Sequence, residues 1–129
     1  MAPPFGPLRF LYLGTKDTGR DLKFYEEQLG AKKVWRFQEF GADVAAVKLG
    51  EGPLVLLADH RDAPSVLPIY EVKDLAATAK DLKKRGWKPK SGKFEIPNGP
   101  CYVFADPSGN EYAIFEDVRP NVFADESEG

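Results

Sequence analysis

The sequence holds one cysteine, Cys101, and one histidine, His60. A single thiol excludes an intramolecular disulfide framework, and one imidazole with scattered carboxylates forms no recognisable metal set. No apolar run approaches the ~20 residues that a membrane-spanning helix requires; the longest, from Pro53 to Ala58, has the length of a strand. An excess of one charge is missing as well: 18 Lys and Arg against 20 Asp and Glu give a net charge of -2. The two signs alternate without forming a stripe, so nucleic acid is excluded as a partner. Glycine-rich phosphate loops are absent, since Gly50-Glu51-Gly52-Pro53 reads as a hairpin turn. The opening MAPPFGPLRF lacks the basic and long apolar regions of a signal peptide, which places the expected protein in the cytoplasm.

What is present suffices for one core. The 129 residues are 43% hydrophobic and 12% aromatic, which predicts one domain over 9–118, after a proline-rich arm at 1–8 and before an acidic flexible tail at 119–129. Arg9 to Thr15 reads as a buried strand. Asp17 or Thr18 can cap a helix with Leu22, Tyr25 and Leu29 on its apolar stripe, ended by Gly30. Strands follow at Ala31 to Phe40, Val44 to Leu49 and Leu54 to Ala58, separated by Gly41 and the Gly50 to Pro53 turn.

The second half repeats that order. Leu67 to Val72 is a strand, and Asp74 caps a helix with Leu75, Ala79 and Leu82 on one face and Gly86 at its exit. A weak, proline- and glycine-interrupted strand region covers Trp87 to Ile96. Cys101 to Ala105 and Glu111 to Asp117 are stronger strands about the Asp106-Pro107-Ser108-Gly109-Asn110 turn. Strand, helix and three strands, twice, predict an α+β fold of two βαβββ modules, at about 9–60 and 66–118.

Two motifs carry a family resemblance. The helix signature Thr18 to Gly30, with Phe24-Tyr25 ahead of Leu29-Gly30, and the Asp106 to Asn110 turn before the last strand resemble the vicinal oxygen chelate superfamily, which includes glyoxalases, bleomycin-resistance proteins and extradiol dioxygenases. Glu71-Val72-Lys73-Asp74-Leu75 resembles that family's second-module opening. The resemblance spans about Phe10 to Glu116. It implies curled mixed sheets that enclose a cup, with helices outside. In metal-dependent relatives, His, Gln or Glu ligands hold a metal at positions that register here onto Phe10, Leu56, Leu67 and Ala113. Apolar side chains offer a divalent ion no lone pairs, so no metal and no other cofactor is expected.

Strand alternation on this plan assigns Phe10, Tyr12 and Gly14 of the first strand to the cup, then Trp35, Phe37 and Glu39, and then Leu56 and Ala58. The second module offers Leu67 and Ile69, Cys101 and Val103, and Glu111, Ala113 and Phe115. Glu71 shares that face. Gly14, Ala58 and Ala113 are expected to leave space at its centre. The alternative is that these aromatics are simply core. Asp59 and His60 read as solvated loop residues, against a displaced metal site. Arg36 reads as solvated. Cys101 reads as a small buried hydrophobe, with no sequence neighbour to activate it.

The leading expectation is metal-independent binding of a hydrophobic or aromatic small molecule, similar to the bleomycin-resistance branch. The resemblance further implies a homodimer, in which the arm from Ala2 to Leu8 could exchange between copies. Two other readings stay open: a metal-free lyase or isomerase using Glu71, Glu111 or Tyr12 as acid or base, and a dimerising structural module.

Overall fold

A computed structural model describes residues 3–90 and 92–120; the sequence-predicted tail from Asn121 onward lies outside the described residues. The chain divides into two compact units, Phe10–Leu67 and, among the described residues, 3–9 with 68–120. The order of elements is strand, helix and three strands, twice, so the fold is α+β with two βαβββ modules.

The first module comprises β1 (Leu8–Gly14), α1 (Thr18–Glu27), β2 (Lys32–Glu39), β3 (Ala42–Lys48) and β4 (Leu54–Ala58). Its strands lie in the order β2-β3-β4-β1, with β1 parallel to β4 and the other pairs antiparallel. Asp17 sits in extended backbone, and its carboxylate accepts from the Arg20 amide at 3.0 Å, which satisfies an otherwise orphan first-turn donor. The helix stops earlier than its signature suggests. Gln28 is the C-cap, and Leu29 lies outside the helix, 48% exposed. Gly30 at φ +70° then turns the chain back. Leu22, Ala45, Val47, Val55 and Leu57 form the core between α1 and the sheet, with Leu13 and Tyr25 packed against it.

The turn between β2 and β3 departs from rule. It has two residues, Phe40 and Gly41, flanked by the Glu39–Ala42 pair, with φ +56° and +75°. Positive φ at both central positions marks the primed hairpin turn that Asn-Gly or Gly-Gly normally fills. A phenylalanine there costs roughly 1 kcal/mol, and its ring is 93% exposed.

The second module comprises β5 (Val66–Glu71), α2 (Leu75–Lys84), β6 (Phe94–Ile96), β7 (Gly99–Ala105) and β8 (Glu111–Phe115), in the strand order β5-β8-β7-β6. Asp74 caps α2 by accepting from the Ala77 amide at 3.0 Å. Leu75, Ala79 and Leu82 face Phe104 and Ile114 as their spacing predicts. The weak strand region at Trp87 to Ile96 shortens to three residues. Trp87 instead packs on Phe104 with ring centroids 4.4 Å apart and donates its indole N–H to the Ala105 carbonyl at 2.6 Å. The turn after β7 is closed by Asp106, whose carboxylate accepts from the Ser108 and Asn110 amides and holds its pKa down, chiefly through Asn110.

The arm belongs to this module. Gly6 donates to the Glu71 carbonyl and Glu71 to the Pro7 carbonyl, each at 2.9 Å. Phe5 stacks on Tyr70 at 5.2 Å. Arg119, placed in the tail by the sequence reading, is held by the Asn98 and Pro97 carbonyls.

Candidate functional site

Cross-strand register decides which side chains share a face. In the first module Trp35, Ala46, Leu56 and Tyr12 form one row across the sheet, and Phe37, Val44, Ala58 and Gly14 form the next. Phe10 lies on the same face beside Leu54. This face is opposite the one that packs on α1, as alternation requires. Phe10, Tyr12, Trp35 and Leu56 are all buried, whereas Phe37 is half-buried. Phe40 of the hairpin folds back towards Phe37, with ring centroids 6.3 Å apart. The face therefore grades from buried at Tyr12 to open at the hairpin.

The same end of the strands is polar beside β4, where Asp59 bonds Asp43 of the hairpin strand. The Tyr12 hydroxyl lies 3.3 Å from His60 Nε2, and the Arg61 guanidinium stands 5.6 Å above the Tyr12 ring. His60 is exposed, as its reading as a solvated loop residue expects, and Arg61, which the sequence did not single out, is half-buried. Only the parallel pairing of β1 with β4 brings the start of the following loop to Tyr12. Asp59 is exposed too, as read, and its carboxylate accepts from the Asp43 amide at 2.9 Å. Arg36 is likewise not free: its guanidinium grips Asp43 through two bonds of 3.0 and 2.8 Å, and that bond raises its pKa. Thr15 donates to Asp21, which holds that carboxyl below its ordinary value.

Gly14 corrects another expectation. A Cβ at this position would lie 1.8 Å from the Asp62 carbonyl oxygen, so the glycine admits passing backbone and leaves no vacant space.

In the second module Ile69, Ala113 and Val103 form one row, and Glu71, Phe115, Cys101 and Phe94 another. Leu67, Ile69, Cys101, Val103, Ala113 and Phe115 are buried. Burial pushes the Cys101 thiol up to about 12, which removes the thiolate needed for nucleophilic chemistry. The two carboxylates considered as acid–base groups both sit against cations: Glu71 against Arg9, which also reaches Asp117 at 3.4 Å, and Glu111 against Lys90. A groove of about 500 Å³ beside the arm, lined by Phe5, Pro7, Glu71, Lys73, Asp74 and Thr78 among others, contains Glu71 and no other residue that the sequence placed on the cup face.

The model of the glyoxalase/bleomycin resistance protein/dioxygenase superfamily matches residues 8–114. The chain belongs to this superfamily. Among solved structures it is similar to methylmalonyl-CoA epimerase from Mycobacterium tuberculosis, at 15% identity and TM-score 0.77 over 93% of each chain. It also resembles a hypothetical protein from Bacillus halodurans, at 14% identity and TM-score 0.72, over 84% of this chain and 92% of that one. A Streptomyces coelicolor methylmalonyl-CoA epimerase variant in complex with 2-nitronate-propionyl-CoA follows at 12% identity and TM-score 0.73, over 88% and 99%. No curated protein matches the chain in sequence. At these identities the structures share the fold with it.

Membership raises the question of a metal. Phe10, Leu56, Leu67 and Ala113, where the resemblance puts ligands, are buried side chains without a donor atom. Among the described residues no three His, Cys, Asp or Glu side chains stand together as a metal group would require. The residues present at these positions do not fit a divalent ion. Among the described residues no helix is long and apolar enough to cross a membrane.

Proposed function

We propose that this superfamily member binds an apolar or aromatic small molecule on the aromatic face of its first module, without a metal. The observation that carries the reading is the gradient on that face. Phe10, Tyr12, Trp35, Leu56 and Phe37 give a continuous apolar wall, and Tyr12, His60 and Arg61 supply a few polar groups at one end. Apolar walls with a small number of convergent polar groups are how proteins hold and orient small ligands. Rings stack on rings with offset or edge-on geometry. The hydroxyl and imidazole add hydrogen bonds that fix which way round a ligand lies. A homodimer is part of the same reading, on the strength of the family resemblance.

Thermal-shift titration of protein treated with EDTA tests it, with a panel of the aromatic dye 8-anilinonaphthalene-1-sulfonate, aromatic antibiotics and hydrophobic metabolites. A saturable rise in Tm that survives the chelator is expected, since a ligand selective for the folded state stabilises it by mass action. Stabilisation by none of them, or only with added metal, rejects the reading. Methylmalonyl-CoA forms a separate arm, because several proteins of similar fold are methylmalonyl-CoA epimerases. Exchange of its C2 hydrogen for deuterium would replace binding with catalysis.

A further inference from the structure

Phe40 is a side chain that the fold would be better without. It occupies the first position of a two-residue primed turn at φ +56°, where a bulky residue is strained, and its ring is 93% exposed. Both features work against stability, and strain of this kind collects where a side chain must be held in a particular place for function. The ring does not point away at random: its centroid lies 6.3 Å from that of Phe37, the half-buried last aromatic of the binding face.

We infer that Phe40 is a ligand-contacting specificity residue, a solvent-facing ring that extends the first module's aromatic face and selects planar aromatic ligands at its open end. This rests on the binding reading above and adds the ligand's shape and the place where it is read. A protein partner is the wrong size for this surface. The exposed residues flanking the ring, Gln38, Glu39 and Gly41, are polar or lack a side chain, whereas a stable protein interface needs roughly 800 Å² from each partner. A single ring beside a second ring matches the dimensions of an aromatic ligand instead. The turn contributes a defined backbone: two positive-φ residues closed by the Glu39–Ala42 pair fix where the Phe40 side chain starts, so the ordering cost on binding is that of the side chain alone.

The test compares the full-length protein with Phe40→Asn and Phe40→Tyr, using fluorescence titration of 8-anilinonaphthalene-1-sulfonate and thermal melting. Asn favours this backbone conformation, so Phe40→Asn is expected to raise Tm by about 3 °C while weakening dye binding about fivefold. Phe40→Tyr keeps the ring and is expected to bind as the parent does. If the parent binds and Phe40→Asn binds equally well, the inference is overturned and the binding face stands. A parent that binds neither the dye nor any other compound of the panel removes both. A lower Tm for Phe40→Asn would mark the ring as structural, and loss of self-association with unchanged binding would mark it as a contact between copies; either result overturns the inference.

Discussion

A carboxylate that accepts a hydrogen bond from a buried hydroxyl resists protonation, and Asp21 is held in this way by Thr15. Its folded pKa lies below the ordinary 3.8. Such a group adds stability above its unfolded pKa and loses it as pH falls through the folded value. Asp21→Asn should therefore destabilise the protein most at neutral pH, with the gap to the parent closing as pH drops below 3.8. Urea denaturation across that range measures the gap, and a constant difference would sink the account. Thr15 and Asp21 were invisible as a pair in the sequence, because their bond depends on how the chain enters α1. The same limit applies to Tyr12 and His60, which lie 48 positions apart and meet only through strand register. Gly14 misled for a related reason: a glycine in a strand looks the same in sequence whether it leaves a void or admits another backbone.

Elements were far more legible than contacts. Both helix starts could be read because an Asp followed by an amphipathic stripe has a local cause, the capping of free amides. Asp74→Ala removes that bond at the head of α2 and should cost about 1 kcal/mol, seen as a lower urea midpoint with an unchanged slope. Asp74→Ser should recover most of it. Helix ends and weak strands were less legible. Leu29 fits the helical period but falls after the C-cap, and the stretch after α2 keeps a bridge from Pro89 to Phe104 before β6 while Trp87 covers the Phe104 ring. At Leu29 the left-handed Gly30 ends the period early, and after α2 tertiary packing overrides a local pattern, which cannot be weighed until the partner surface is known. The face assignments held because alternation is a geometric property of a strand. Which ends of those faces carry polar groups did not follow from it.

At the scale of the molecule, the arm is a stabilising piece of the second module. Phe5 stacks on Tyr70 and lies 6.0 Å from Trp87, while Gly6 and Pro7 bond the Glu71 backbone. Phe5→Ala should cost roughly 2 kcal/mol, less than a fully buried phenylalanine because the ring is half-exposed. Chemical denaturation reads this directly, and a loss under 0.5 kcal/mol would mean the arm merely rests on the surface. The internal repeat is legible in the sequence, since two identical orders of strand, helix and strands leave the same rhythm of caps and glycines. That repeat has a consequence for the history of the chain. Among the described residues, the core cluster behind α1 and the one behind α2 share no member. A lineage can thus accumulate substitutions behind one helix without compensating changes behind the other, so that each half drifts at its own pace and new specificities arise in one while the other preserves the inheritance.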